Sequence, residues 1–232
     1  MAGVYTFGDL KLHYLGHSGF VIQHGDAFIA VDPFLTGNQL ARMKAENVKA
    51  TDILVTHGHA DHIGDSVEIA KKNGCAITCS YKVAEFLEKQ EAKTNPIAVG
   101  GTLPFSWGKA HYRTAMHSGN FADGTDFGFG ASVLLTFDHT KIYHLGDTAL
   151  HLDFKLVGEI YQPDIMLVPI GGKFTMNIDE AVVAVRLMQP KVVIPIHYNT
   201  FPFIQANPVD FKARVEKDLR IKCEVLDPVE GL

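Results

Sequence analysis

The sequence predicts an α+β fold built as a four-layer αβ/βα sandwich, in which two β-sheets pack face to face with helices outside. First, short apolar strand patterns are followed by strand–helix units, and this order occurs twice along the chain. Second, 47% of the 232 residues are hydrophobic and 20% are charged, a globular balance that permits a sizeable core. Because no charge run or Pro-rich break separates the halves, we expect residues 1–232 to form a single domain.

The first half opens with three short apolar runs separated by glycine-containing turns, which predict strands over residues 10–15, 20–23 and 28–31. Strand–helix units follow. Residues 52–56 and 76–80 have strand character. Helical apolar spacing covers 62–73, where Gly74 ends the pattern, and 83–91.

The second half repeats this order. Apolar runs predict strands over residues 110–116, 131–137 and 142–145, and then over 165–170, 192–196 and 221–226. Helical patterns lie between the later strands. One covers 178–188 and begins with Asn177 and Glu180 spaced as a capping box. The other covers 211–219, with Pro208 near its first turn.

The charge and cysteine content exclude several classes of protein. The formal net charge is −5, which lacks the basic excess of a dedicated nucleic-acid-binding protein. The three cysteines are too few for a disulfide framework, so we expect small apolar core residues in a reducing compartment. With no signal-peptide pattern and no run of about 18 apolar residues, we expect a cytoplasmic protein without a membrane partner.

One segment dominates the chemistry of the sequence. Residues 57–62 read His-Gly-His-Ala-Asp-His directly after a hydrophobic strand, which places four potential metal ligands within six positions. The chain turns at the end of a strand, so these side chains can converge on one point. Gly58 permits a tight turn, and the small Ala60 leaves room for an ion. Imidazole and carboxylate groups are ligands that zinc prefers and that manganese and iron accept.

This histidine-rich segment resembles the signature of the metallo-β-lactamase superfamily. Four further segments resemble the remaining elements of that family in the same order, and they centre on Asp32, His117, Asp147 and His197. The resemblance implies the sandwich fold and a metal-dependent hydrolase that uses two divalent cations. It assigns His57, His59 and His117 to the first cation. It assigns Asp61, His62 and His197 to the second, with Asp147 as a bridge.

The resemblance also implies roles for the residues around the cations. Two divalent cations roughly 3.5–4 Å apart can share a water and lower its pKa toward neutrality. Asp61 is the candidate catalytic residue, which would orient the resulting hydroxide and move its proton. Asp32 is expected to brace the metal loops. His17 is expected either to contact the site or to be structural. Lys173 is expected to meet an anionic substrate group or to be a solvated loop residue.

Further motifs resemble one branch of the superfamily, the small metal-dependent hydrolases related to L-ascorbate-6-phosphate lactonases. These motifs cover residues 14–18, 32–34, 169–172 together with 174–176, and 197–202. They imply hydrolysis of a small ester, lactone or phosphorylated substrate. Lys173 and Asn177 depart from that branch, and these departures concern the substrate contacts and not the metal ligands. A phosphodiesterase or nuclease of the same superfamily, and a non-hydrolytic metal-binding or redox protein, remain alternatives.

The identity of the metal and the partners are less constrained. A ligand set of histidine and aspartate suits Zn²⁺, which we expect, but it also accepts Mn²⁺, Fe²⁺ or Ni²⁺. The expected partner is a small-molecule substrate, with no nucleic acid. The apolar stretch at residues 201–204 indicates either a subunit contact or the rim of a pocket, and we predict a homo-oligomer from it.

Overall fold

The computed structural model describes residues 3–232. By its internal contacts the chain divides into two compact units. The first unit contains the chain up to Val99, together with Ser118–Phe129 and Leu226–Leu232. The second contains Gly100–His117 and Gly130–Val225. A single domain over residues 1–232 stays a prediction, and each unit is described by itself.

The first unit has a seven-stranded mixed sheet whose strands follow one another in chain order. The strands are β1 (Val4–Phe7), β2 (Leu10–Gly16), β3 (Gly19–His24), β4 (Ala27–Val31), β5 (Asp52–Leu54), β6 (Ile77–Cys79) and β7 (Thr94–Pro96). Strands β1 to β4 are antiparallel, and β4 to β7 are parallel. The strands predicted from the apolar runs are confirmed as β2 to β6. The sequence analysis missed β1 and β7, which form the edges of the sheet and bury no full face.

The helices of the first unit are α1 (Ala60–Ile63), α2 (Ser66–Asn73) and α3 (Tyr81–Glu88), and a short 3₁₀ turn covers Ala45–Asn47. The single helix predicted over 62–73 is wrong, because the chain breaks at Gly64. This glycine has φ +46°, and a Cβ there would lie 2.5 Å from the Pro33 carbonyl oxygen. The predicted end at Gly74 is confirmed, with Gly74 in the left-handed region.

The second unit has its own seven-stranded mixed sheet, in the order β14-β13-β12-β11-β10-β9-β8. The strands are β8 (Thr102–Phe105), β9 (Gly108–Asn120), β10 (Asp126–Phe137), β11 (Thr140–His144), β12 (Ile165–Pro169), β13 (Val192–Ile196) and β14 (Lys222–Cys223). Strands β11 to β14 are parallel. Strands β9 and β10 are longer than predicted, and the hairpin tip Ser118–Phe129 belongs to the first unit. The edge strand β8 was missed.

The helices of the second unit are α4 (Asp153–Tyr161), α5 (Ile178–Met188) and α6 (Pro208–Arg214), which continues into a π-helical turn at Val215–Leu219. The capping box of α5 is confirmed, with Asn177 and Glu180 bonded to each other's backbone. Helix α4 was missed because it carries apolar residues on its exposed side as well. Within α4, Leu156 and Ile160 are 47% and 65% exposed, and Leu152 directly before the helix is 77% exposed, so the apolar residues do not follow one helical face.

Each unit packs its helices on its own apolar core. Strands β12 and β13 are buried along their whole length, and this explains their unbroken apolar sequence. In the first unit, Asp32 and the histidine-rich loop follow the neighbouring parallel strands β4 and β5, and in the second unit Asp147 and His197 follow the parallel strands β11 and β13. Within residues 3–232, no helix is both long and apolar enough to cross a lipid bilayer.

The cysteines allow a test of the two cores. All three are free thiols, and burial raises the pKa of Cys79 and of Cys223 to about 12. Cys75 is only half-buried. We expect Ellman's reagent at pH 8 to label Cys75 first in the native protein, and to label the other two only as the protein unfolds. Labelling in urea should give three thiols, and equal rates for all three under native conditions would contradict the packing described above.

Candidate metal centre

The histidine-rich loop of the first unit follows β5 and ends in α1. His59 is the extended residue before α1, and the amide of His62 donates to the His59 carbonyl at 3.1 Å. This turn folds the chain back on itself. The ring centroids of His57 and His62 are therefore 4.0 Å apart, and those of His57 and His59 are 4.8 Å apart. Three imidazoles that are close in sequence thus form one cluster.

The carboxylate of Asp32 organises this cluster from the end of β4. Asp32 is fully buried, and it accepts hydrogen bonds from the Thr56 amide at 2.8 Å and the Thr56 hydroxyl at 2.7 Å. Its Oδ2 also lies 2.7 Å from Nδ1 of His62. A carboxylate accepts, so Nδ1 of His62 carries the proton. The lone pair of neutral His62 is therefore on Nε2, the nitrogen that would bind a metal.

The hydrogen bonds of Asp32 continue through Thr56 to His57 and set the tautomer of His57. The Thr56 hydroxyl gives its proton to Asp32, so it accepts a hydrogen bond from Nδ1 of His57 at 2.9 Å. Neutral His57 then also presents a lone pair on Nε2. That nitrogen lies 2.9 Å from Nδ1 of His59. One buried carboxylate and one hydroxyl thereby orient the ligand nitrogens of two histidines.

His17 and Asp61 form the other part of this group. Nε2 of the fully buried His17 lies 3.1 Å from Oδ2 of Asp61, whose side chain is 28% exposed. His17, Asp61 and His62 each place a ligand atom within 4.8 Å of one another. The His17 ring also meets the rings of Phe34 and His62 edge to face. Asp61 is thus a partly exposed carboxylate in hydrogen-bond contact with the buried imidazole of His17.

The hairpin tip of the first unit forms an apolar wall beside His57 and His59. The Phe127 ring lies edge-on to His59, with centroids 4.8 Å apart. A Cβ on Gly58 would lie 2.7 Å from atoms of Phe121 and Phe127. A Cβ on Gly119 would lie 2.3 Å from Nε2 of His59. Both glycines are required by this close approach, and the wall limits rotation of the His59 ring.

The second unit brings together the remaining predicted ligands. Oδ2 of Asp147 lies 3.1 Å from Nε2 of His197 and 3.6 Å from Nε2 of His117. His197 and Asp147 are buried, and His117 is largely buried. Asp147 follows Gly146 at the end of β11, and His197 directly follows β13. His117 lies inside β9, so its predicted position at the end of a strand is wrong.

Backbone hydrogen bonds fix the loops that carry this second group. The Thr148 hydroxyl accepts from the Met116 amide at 3.0 Å, and the Ala149 amide donates to the Met116 carbonyl at 3.2 Å. Nδ1 of the buried His144 accepts a hydrogen bond from the Gly146 amide at 3.0 Å. Met116 and Thr148, the residues next to His117 and Asp147, are therefore hydrogen-bonded to each other.

Three candidate residues hold unusual backbone conformations. His17, Asp32 and His197 have φ values of +58°, +44° and +53°. Residues other than glycine rarely adopt positive φ values, because each such residue costs about 1–3 kcal/mol of backbone strain. Strain of this kind concentrates at functional sites. Each of these residues stands directly after a strand, at the point where the chain must turn sharply.

The donor groups fit a divalent cation. With bonds of about 2.0–2.1 Å in a tetrahedral site, two ligand atoms are roughly 3.3 Å apart. In the first unit the nitrogens of His57 and His59 are 2.9 Å apart. In the second, Asp147 lies 3.1 and 3.6 Å from two imidazole nitrogens. Both separations are close to that value, and imidazole and carboxylate are suitable donors.

The structure therefore groups the predicted residues by unit. The first unit brings together His17, Asp32, His57, His59, Asp61 and His62, and the second brings together His117, Asp147 and His197. Lys173 instead lies over the rings of Phe174 and Phe203. Sequence analysis missed Thr56, although its position before His57 was a signal. It also missed Gly119 and Phe127, which no local pattern marks.

Comparison with known proteins adds independent findings. A family model described as beta-lactamase superfamily domain matches residues 11–197. A UPF0173 metal-dependent hydrolase of Bacillus cereus is 42% identical over 228 residues, which cover 96% of this chain and 99% of that protein. Igni18, a metallo hydrolase from the archaeon Ignicoccus hospitalis, is 34% identical with a TM-score of 0.86, covering 94% of this chain and 95% of its own.

A more distant likeness shows the fold alone. CmlA, a diiron beta-hydroxylase from Streptomyces venezuelae, has a TM-score of 0.72 at 13% identity, covering 95% of this chain and 53% of its own. Together with the two seven-stranded mixed sheets and their helices, these likenesses confirm the expected fold class. The relation to L-ascorbate-6-phosphate lactonases is not tested by them and stays a prediction.

The role of Asp32 can be tested by Asp32→Asn. We expect the free energy of unfolding to fall by about 3 kcal/mol, because the buried charged acceptor of the hydrogen bonds from Thr56 and His62 is lost. We expect metal affinity to fall about 10–100-fold, because His62 and His57 lose their orienting group. Urea unfolding and metal titration measure the two effects. Asp65→Asn is the matched control, since buried Asp65 accepts from the amides of Leu35 and Thr36. Equal loss of metal affinity in both variants would contradict the role of Asp32.

The close contact between Gly119 and the His59 ring at the hairpin tip predicts a second effect on metal binding. In Gly119→Ala the new methyl group would overlap the His59 ring, so we expect metal affinity to fall about tenfold or more. Metal titration of the folded variant, checked by circular dichroism, measures this. Gly231→Ala is the control, because no atom lies within 4 Å of a Cβ at that position. A folded Gly119→Ala protein with unchanged affinity would show that His59 does not need this wall.

Proposed function

We infer that this chain, which belongs to the metallo-β-lactamase superfamily as its sequence predicted, is a metal-dependent hydrolase, and we propose a small ester, lactone or phosphorylated molecule as its substrate. The observation that carries the proposal is the tautomer-setting chain from Asp32 through Thr56 to His57, with His62 on the same carboxylate. Such bracing orients imidazoles for a metal ion.

We assign seven side chains to two divalent cations. His57, His59 and His117 would hold the first cation, Asp61, His62 and His197 the second, and Asp147 would bridge them. Zn²⁺ is our proposed metal, and the same ligands accept Mn²⁺, Fe²⁺ or Ni²⁺. When bound, the two cations would polarise a carbonyl or phosphoryl group and lower the pKa of a water toward neutrality.

The residues of the chain then supply orientation and proton transfer. Asp61 is the proposed catalytic residue, because its carboxylate is partly exposed while its Oδ2 contacts Nε2 of His17. A proton accepted by Asp61 can be shared with His17, which is fully buried and therefore held in one orientation. The apolar wall of Phe121 and Phe127 limits water on the side of His57 and His59.

Two alternatives rest on weaker support. A nuclease of the same superfamily needs a basic surface, and the formal net charge of −5 does not favour one. Salt-sensitive RNA binding would revive it. A diiron oxidation catalyst has a precedent in the fold of CmlA, but at 13% identity that likeness carries no activity. A cytoplasmic location and a homo-oligomer remain proposals.

The proposal predicts a metal content of about two divalent ions per chain. Elemental analysis of the purified protein measures it, together with turnover of a panel of lactones, esters and phosphodiesters. In His59→Ala we expect metal content and turnover to fall together, because a ligand of the first cation is lost. His139→Ala is the matched control, since His139 is exposed and lies outside the ligand groups.

Two results would count against the proposal. One ion or none in a folded protein would mean that the ligand assignment is wrong. A full complement of metal without turnover of any member of the panel would leave the metal site standing and remove the proposed substrate class.

A further inference from the structure

An exposed aromatic cluster in the second unit has no role in the proposed metal site. It consists of Phe174, Phe201 and Phe203, with Lys173 above it, and we call these four residues the aromatic shelf. The rings of Phe201 and Phe203 are nearly parallel, at 5.4 Å and 10°, and Phe174 meets Phe203 edge to face at 5.5 Å. Phe174 and Phe203 are 52% and 49% exposed. Clustered, exposed aromatic rings of this kind are typical of a binding surface.

The two loops that carry the shelf are held by their own hydrogen bonds. Lys173 and Phe174 are the central residues of a turn that the Thr175 amide closes on the Gly172 carbonyl at 2.6 Å. In the second loop the Asn199 amide donates to the Ile204 carbonyl at 2.8 Å, and the Ile204 amide to the Phe201 carbonyl at 3.1 Å. These hydrogen bonds hold the backbone that carries the rings, which lowers the entropy cost of binding.

The same loops are attached to the ligand group of the second unit. The Met176 amide donates to the carbonyl of Thr148, the residue after Asp147. A Cβ on Gly171 would lie 2.2 Å from the carbonyl oxygen of His197, so the two loops touch directly. His197 and Phe201 also lie on one loop, four residues apart. A molecule on the shelf is thus bound by one loop that carries the proposed ligand His197 and by another that is hydrogen-bonded to the loop of Asp147.

Lys173 adds a charge to this apolar surface. Its ammonium lies 5.2 Å from the Phe174 centroid and 5.3 Å from the Phe203 centroid, which is cation–π distance. Within residues 3–232, no carboxylate lies within ion-pair distance of this ammonium. Lys155, Lys191 and Lys212, in contrast, each pair with an acidic side chain. The shelf therefore presents an uncompensated positive charge in a fixed place.

We propose that the aromatic shelf binds the part of the substrate that lies beside the cleaved bond, and that it selects substrates that carry an anionic group on an apolar body. The apolar body lies against Phe203 and Phe174, and the carboxylate or phosphate group contacts Lys173. This assignment rests on the proposed function and narrows its substrate class. It makes Lys173 and Phe203 specificity-determining residues.

Binding of a matched pair of probes tests the assignment without any turnover. The pair is 2-naphthoate and 2-naphthalenemethanol, which share a ring system and differ in charge. Isothermal titration with the metal-loaded protein should show that the naphthoate binds about tenfold more tightly. Lys173→Gln should remove that preference, because the charge partner is lost. Phe203→Ala should weaken binding of both probes, because the apolar contact is lost.

Two further variants distinguish anion binding at the shelf from anion binding at the metal ions. Lys155→Gln removes an exposed helical lysine of the same unit and should leave both affinities unchanged. His59→Ala lowers metal content and should keep the preference for naphthoate, because the shelf needs no metal. A preference that survives Lys173→Gln, or that disappears in His59→Ala, would place the anion on the metal ions and overturn the proposal.

Light scattering covers the remaining outcome. If neither probe binds and Phe203→Ala converts a dimer into a monomer, the shelf is a subunit contact and the proposal is overturned. Failure of the hydrolysis panel, with naphthoate binding intact, would remove the proposed function and leave the shelf as an anion-selective site. The two failures are therefore distinguishable.

Discussion

The structure of the first ligand group depends on one interaction, the burial of the Asp32 carboxylate among the Thr56 and His62 donors. A buried charge is costly unless hydrogen bonds satisfy it, so the ends of β4 and β5 and helix α1 are held where those bonds form. The same bonds decide which nitrogen of His57 and of His62 carries a proton. Stability and ligand orientation therefore have a common cause, and the strained φ of Asp32 is maintained by it.

Both units use parallel strands to position their ligands. In the first unit, Asp32 and Thr56 follow the neighbouring strands β4 and β5, and in the second, Asp147 and His197 follow β11 and β13. The strands are buried and rigid, while the loops at their carboxyl ends are free to carry polar groups. This division places a buried carboxylate and imidazoles in loops at the ends of the strands, beside the apolar core of each unit.

The fold itself does not select the reaction. Igni18 is a metallo hydrolase and CmlA a diiron beta-hydroxylase, yet both resemble this chain in structure. What differs among proteins of one fold is the chemistry of the site and of the surface beside it. In our proposal for this chain, the histidines that Asp32 orients bind the metal, and the aromatic shelf with Lys173 binds the substrate. These histidines lie on the histidine-rich loop after β5, whereas the shelf lies on two loops of the second unit, one of which also carries His197.

The sequence by itself determined the fold class, most strands and the metal-binding character of residues 57–62, because apolar periodicity and clustered ligands are local patterns. Single residues such as Asp147 and His197 were identified only through the family resemblance. The tertiary structure alone decided the break at Gly64, the apolar wall at Phe127, the tautomer of His57 and the position of Lys173 over the rings of Phe174 and Phe203. These features depend on contacts between distant residues, such as Asp32 with His62, and strand register and loop closure set those contacts, which no local pattern encodes.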